Sequence, residues 1–269
     1  MPRVYHGRVT SLPSERKALL VSVGGVRLAA RLSQIREIIE TAAVEGGEVV
    51  ARGEALPSAF LSSVLGLPPA PARFALVTET TPRLALRVEA VHGIVDVQAD
   101  EAYQLPVHTM VPQPSPYAGA LVVNGRVALE LAVPSIGFAP IEPALDHGEP
   151  PPSLGPWLER EIRFARGPLT FGVPLSILLQ VVEDPTLAPV PLTPPSHRGL
   201  LLHGRALHAV LDVGVLYGVP LEPAPRRVLI LDAGGAAVGV MADRVLGPGE
   251  GAMGEEVLRP PWDALFGAG

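Results

Sequence analysis

One phrase returns four times in this chain and narrows what it can fold into. Leu200 to Asp212 reads LLLHGRALHAVLD, two apolar runs joined at His203-Gly204. Val122 to Leu131 reads VVNGRVALEL with Asn124-Gly125 at the hinge, Val50 to Leu61 reads VARGEALPSAFL, and Val4 to Leu12 reads VYHGRVTSL. Apolar runs joined by a residue that tolerates positive φ next to a glycine predict β-hairpins, and Asn-Gly is the strongest short-range signal for one. Four copies predict an internally repeated, mainly β protein.

A longer repeat encloses the phrase. Glu15 to Glu40 superposes on its counterpart at Arg160 to Glu183 without a gap at a shift of 143: Gly24 falls on Gly167, Leu32 on Leu175, Ser33 on Ser176 and Glu40 on Glu183. Each copy reads as strand, glycine turn, strand, then a short helix. Leu175, Leu178, Leu179 and Val182 sit at i, i+3, i+4, i+7, with Ser33 and Ser176 placed as N-caps. Farther on, Phe74 to Gly93 matches Val228 to Gly247 at a shift of 154, with Glu89 on Asp243, and alternating apolar positions predict half-buried strands. Pro140 to Pro156, PIEPALDHGEPPPSLGP, reads as a stiff, partly extended linker between the halves.

Composition closes off several classes of function. A net charge of -6 gives no basic footprint for nucleic acid. With no cysteine there is no disulfide framework or thiolate metal site. No apolar run approaches a membrane helix, so no membrane insertion is expected, and Met1 to Arg16 lacks the apolar core of a signal peptide. These features suit a cytoplasmic protein. The seven histidines form no H-E-x-x-H or tight carboxylate cluster, and His203 and His208, five apart across a hairpin, read as surface or turn residues. Gly247-Pro248-Gly249-Glu250-Gly251 is followed by no Lys-Ser/Thr pair and is no phosphate loop. No catalytic constellation is present, and neither enzyme activity nor a cofactor is expected.

The order of elements resembles the CheW-like domain of bacterial chemotaxis coupling proteins. It runs strand, glycine turn, strand, short helix with an acidic end, glycine-hinged hairpin, Val64-Leu65-Gly66-Leu67-Pro68, and the late strand Val88-Glu89-Ala90-Val91-His92-Gly93. Two such domains in tandem are expected, residues 15–139 and 157–258, flanked by an N-terminal strand (1–14), the linker (140–156) and a tail (259–269). The resemblance implies a pair of small five-stranded β-barrels per domain and a short helix. It also implies a non-enzymatic adaptor that bridges a CheA-type histidine kinase regulatory domain and chemoreceptors. The alternative is a diverged CheW-like interaction module serving another complex, such as motility or polarity, without kinase coupling. The family hairpin reads N-L-R-G, then V-I-P-V and an acid. Arg52 and Gly53 match its R-G, whereas Phe60 stands at the acid. In the second domain the pair is transposed to Gly204-Arg205, and Asp212 matches the acid. Arg52, Gly53 and Asp212 are therefore the candidate partner-binding residues.

The two ends carry further expectations. Tyr117 to Phe138 closes the first domain, and adding 154 to Tyr117 puts its equivalent near position 271, past Gly269. Pro2 to Leu12 is expected to cross over and supply the second domain's missing strand, with a flexible tail or a strand lent by a partner as the alternatives. In the tail, Trp262, Leu265 and Phe266 at i, i+3, i+4 form an amphipathic face, expected either to dock on a partner or to fold back over the second domain.

Overall fold

The computed structural model describes residues 17–40, 48–98, 100–145, 152–155, 160–220, 226–232, 234–246 and 256–266. In the first domain the strands are β1 (Lys17–Val23), β2 (Val26–Arg31), β3 (Ile35–Glu40), β4 (Glu48–Ala51), β5 (Glu54–Phe60), β6 (Phe74–Thr78), β7 (Ala85–Val88), β8 (Ala90–Asp96), β9 (Ala102–Tyr103), β10 (Tyr117–Val123) and β11 (Arg126–Leu131), with α1 (Leu61–Val64) after β5. They make a six-stranded sheet, β8-β1-β2-β11-β10-β9, and a five-stranded one, β3-β6-β7-β5-β4. The second domain follows with β12 (Glu161–Arg166), β13 (Leu169–Pro174), β14 (Leu178–Glu183), β15 (Leu187–Ala188), β16 (His197–His203), β17 (Ala206–Leu211), α2 (Val213–Leu216), β18 (Arg227–Asp232), β19 (Ala237–Ala242), β20 (Arg244–Leu246), β21 (Val257–Leu258) and α3 (Trp262–Phe266). Its sheets are β20-β12-β13-β21 and β14-β18-β19-β17-β16-β15. The chain is mainly β, as its periodicity requires.

Three of the four repeated phrases are hairpins: β4-β5, β10-β11 and β16-β17. Each does the same job. Its second strand lies parallel beside the second strand of another hairpin, β5 on β7, β11 on β2 and β17 on β19. Arg52-Gly53 and Asn124-Gly125 take positive φ at both turn positions, the backbone that a two-residue hairpin turn demands. In the second domain the turn is Gly204-Arg205, one residue beyond the expected hinge, because His203 pairs with Ala206. The β9–β11 and β15–β17 units are built alike. Both carry a bulge after the first residue of the hairpin, and in both a Cβ on the following glycine, Gly119 or Gly199, would strike the carbonyl of the short strand alongside.

The expected helix after each first hairpin does not form. Ile35–Glu40 and Leu178–Glu183 are strands paired with β6 and β18. A bulge between Leu178 and Gln180 inserts one residue, so Leu178 and Val181, three apart, both pack on the same core. That spacing imitates a helical stripe. Leu179, the third member of the stripe, is exposed. The short helix of each domain is instead the single turn that follows β5 or β17.

The first domain's six-stranded sheet packs Ala18, Leu20 and Ala29 against Leu121, Val123 and Ala128 of its closing hairpin. At the shift of 143 the second domain has Glu161, Arg163 and Gly172 at the first three positions. Glu161 there takes a two-pronged pair from Arg259 at 2.9 and 3.0 Å and a bond from Arg163 at 2.9 Å. These bonds hold its carboxyl below the usual carboxylate range, the Arg259 hydrogen bonds foremost. The place beside β13 is held by Val257 and Leu258, parallel to Thr170 and Phe171. The linker then lies against this piece, with the Leu154 amide donating to the Arg259 carbonyl and the Arg259 amide to Ser153 Oγ. The proposed crossover of Pro2 to Leu12 lies outside the described residues.

The two domains share apolar core. Val190, Leu192 and Leu200 of the second domain are buried in one cluster with Leu19, Leu28, Leu129 and Tyr117 of the first. Tyr117 donates its hydroxyl to the Pro191 carbonyl, and the linker amides of Ile141 and Ala144 donate to Val64 and Leu192. In return Met110, next to the one-turn helix at Val107–Thr109, packs into the second domain's core, and His108 meets Phe266 edge to face.

Candidate partner-binding site

Arg52 and Gly53 form the tip of the β4-β5 hairpin. Arg52 adopts φ of 49°, which Cβ sterics disfavour, and the hairpin turn together with an ion pair keeps it there. Its Nε donates to Glu37 Oε2 on β3 at 3.0 Å. This contact joins the hairpin tip to the opposite edge strand of the same sheet. The second domain makes the same closure with different chemistry. His203 Nε2 lies 3.0 Å from Gln180 Oε1, and Gln180 occupies the Glu37 position at the shift of 143. The Arg52 side chain is 68% exposed, so the pair contributes at most about 1 kcal/mol. The arginine is held in place while remaining reachable from solvent. Beside it the outer face of the hairpin is bare: Glu48, Val50, Ala55 and Pro57 are all exposed. At the end of β5, Phe60 lies over the buried Arg87 guanidinium at 5.0 Å from the ring centre.

Asp212 sits in a wholly different environment. It is fully buried and accepts two hydrogen bonds from Arg166, at 2.9 and 2.6 Å, with Arg198 Nη1 3.5 Å away. Arg166, itself buried, also reaches Asp243 Oδ1 at 2.9 Å, and Asp243 accepts the Gly167 amide. Asp212 raises the guanidinium pKa above its ordinary value. Two charges removed from water need this geometry, because an unpaired buried ion costs several kcal/mol. The acid that matches the family pattern is thus internal, an anchor between β12, α2 and β20, and is not exposed for a partner. Gly214 completes the fit, since a Cβ there would stand 2.7 Å from Arg166 Cγ.

The tail follows the second of its two expectations. Trp262 and Phe266 are buried and Leu265 packs with them, in one core with Phe164, Phe171 and Val173. Trp262 Nε1 donates to the Gly172 carbonyl at 3.0 Å. These side chains fill the second domain's seam, as Val133 and Ile136 do in the first. As an exposed docking face Trp262, Leu265 and Phe266 are corrected: apolar surface of that size has a better site at home.

Sequence reading passed over Arg166, Asp243 and Glu37. Their signal was present in part, since Glu89 and Asp243 align and Glu89 likewise accepts the Gly24 amide. His208, expected at the surface or in a turn, is corrected: it is buried within β17, and His108 and His197 are buried as well. His197 has both ring nitrogens buried without a hydrogen-bond partner, and burial pushes its pKa down to about 4. Among the described residues no group of three or more His, Asp or Glu could hold a metal, and no helix is long and apolar enough to cross a membrane.

Tandem β units of this construction, with glycine-hinged hairpins and an apolar seam, define a duplicated β domain. The CheW-like domain family matches residues 17–137 and 162–250, most of the chain, and the chain belongs to it. Among solved structures it is similar to the scaffolding protein TtCheW from Thermoanaerobacter tengcongensis, at 15% identity and a TM-score of 0.38, covering 44% of this chain and 89% of that one. A search of curated proteins found no match. The family is one of non-enzymatic scaffolds, and the chain has the character of a chemotaxis-type coupling adaptor.

Proposed function

We propose that this chain is a non-enzymatic cytoplasmic adaptor that bridges a CheA-type histidine kinase and chemoreceptors, with the first domain as its kinase-facing side. The observation that carries this reading is the Arg52-Gly53 tip, which keeps the family's residues on a stiff, solvent-facing hairpin braced by Glu37. Calorimetric titration of the purified protein with the kinase regulatory domain tests it, with Arg52→Ala alongside. Binding weakened several-fold by the substitution, at an unchanged melting temperature, supports the reading. Binding indifferent to Arg52 removes the site assignment, and no binding to any such kinase removes the kinase role.

A second reading is a diverged interaction module in another complex. Asp212 favours it, because the second domain has turned the family's acid into a buried counter-ion and reversed the order of its turn pair. On that reading the second domain is a support for the first, and a non-chemotactic partner occupies the same hairpin.

A further inference from the structure

The second domain keeps one strand of the hairpin that closes the first. In the first domain β11 lies parallel to β2, with Leu129 beside Leu28 and Glu130 beside Ala29. In the second, Leu258 stands beside Phe171, which is the counterpart of Leu28 at the shift of 143. β21 therefore holds the place of β11, with Val257 for Ala128, Leu258 for Leu129 and Arg259 for Glu130, at a shift of 129. At Gly93 and Gly247 the shift is still 154, so the second domain is 25 residues shorter between that point and β21. In the first domain this stretch makes β9, the one-turn helix and β10.

The place of β10 is the one in question. In the first domain β10 pairs along the far side of β11, with Ala120 opposite Leu129 and Gly119 opposite Glu130. Its Leu121 and Val123 pack into one core with Ala18, Ala29 and Val97. Among the described residues β21 is instead an edge of its sheet, β20-β12-β13-β21. The linker takes up one end of the place: the Leu154 amide donates to the Arg259 carbonyl, where Gly119 pairs with Glu130. Val257 and Leu258 are only half-buried, where Ala128 and Leu129 are 3% and 1% exposed. A strand edge of this kind is a template for an added strand. The stretch just before β21 is poorly suited to be that strand. Gly247 to Glu255 is nine residues with four glycines and one proline. It leads from β20 at one edge of the sheet to β21 at the other, about 14 Å at the usual strand spacing, and glycine and proline both weaken a strand.

We propose that one strand drawn from Pro2 to Leu12 lies along the outer edge of β21, antiparallel to it as β10 is to β11, and completes the second domain's first sheet. The segment carries β-branched and aromatic side chains that favour a strand, in Val4-Tyr5 and Val9-Thr10. It leads into β1 at Lys17, and the sixteen residues ahead of β1 reach up to about 50 Å when extended. Because β21 already stands for β11, the segment supplies a single strand there and no second hairpin. Because β1 belongs to the first domain, that strand ties the second domain's sheet to the first by main-chain hydrogen bonds, in addition to the shared apolar core.

The test uses the lack of cysteine in this chain, which leaves two introduced thiols to report on each other alone. The full-length protein carries Glu256→Cys, an exposed position next to β21, together with a cysteine placed in turn at each position from Val4 to Leu12, and is mildly oxidised. The expected result is a disulfide within the chain, in most molecules, for at least one combination, read by intact mass and non-reducing electrophoresis. None is expected when Arg126→Cys, exposed beside the first domain's hairpin turn, replaces Glu256→Cys. Deleting Pro2 to Leu12 from the otherwise native chain should lower the unfolding midpoint seen by tryptophan fluorescence by about 5 °C or more, since both tryptophans, Trp157 and Trp262, lie in the second half of the chain. No disulfide at any position overturns the proposal, as does a disulfide formed only between chains, which gives the edge to a second copy. A midpoint unmoved by the deletion overturns it as well, and if the shortened chain does not fold the thiol pairs decide. None of these outcomes bears on the adaptor reading, which is tested at Arg52.

Discussion

Replacing Asp212 by alanine should be among the most damaging single changes in the second domain. The carboxylate is fully buried and accepts two charge-assisted bonds from Arg166, whose side chain is 1% exposed. Without it, Arg166 stays in the interior with Asp243 as its remaining carboxylate partner within salt-bridge distance, and that side chain is 39% exposed. Breaking one side of such a pair costs about 3–5 kcal/mol, most of it the stranded guanidinium. For a protein of this size that corresponds to a drop in melting temperature of roughly 6–20 °C. Urea unfolding followed by circular dichroism and tryptophan fluorescence measures it. The stranded-charge argument makes a second, sharper claim. Arg166→Met together with Asp212→Ala should be more stable than Asp212→Ala alone, because an apolar chain of similar length replaces a buried ion that has lost its buried counter-charge; the first domain has Val23 at the position that matches Arg166. A single variant within 1 kcal/mol of the parent, or a double variant less stable than the single, refutes the reasoning.

Other outcomes follow from the same contacts. His197 titrates near 4 in the folded protein against an ordinary 6.5. The unfolded chain therefore takes up the proton first, and stability falls as pH drops from 6.5 toward 4, by on the order of 3 kcal/mol in all. His108 and His208, whose pKa values burial also lowers, act with the same sign. His197→Tyr, which copies Tyr117 at the matching position, should flatten the pH profile of urea midpoints, and an unchanged slope removes His197 as its source. Trp262→Ala should cost about 3–5 kcal/mol through the cavity it leaves beside Phe164 and Gly172; a change below 1 kcal/mol in urea unfolding contradicts the tail's place in the core. Arg52→Ala should change stability by less than about 1 kcal/mol, given the exposure of its pair, so a large loss would mean that the hairpin tip holds the sheet together.

What the sequence displayed and what it hid divide along physical lines. Hairpins were legible because their turns need positive φ, and Asn124-Gly125 and Arg52-Gly53 advertise that need in single letters. The strand Leu178–Glu183 was misread as a helix because a bulge shifts the apolar period from two to three, which no turn residue announces. Asp212 matched a pattern by position, yet its role depends on Arg166, 46 residues away in sequence, and on the absence of water around both. Pairings of that range leave no periodic trace. The same limit explains the second domain's first sheet. Glu161, Arg163 and Arg259 are three ordinary charged letters on an alternating strand and a tail, and only their convergence shows that the sheet carries a part-buried ion cluster where the first domain has apolar side chains. Among the described residues the duplication is thereby asymmetric, with an exposed hairpin face in the first domain and an ion cluster beside β13 in the second.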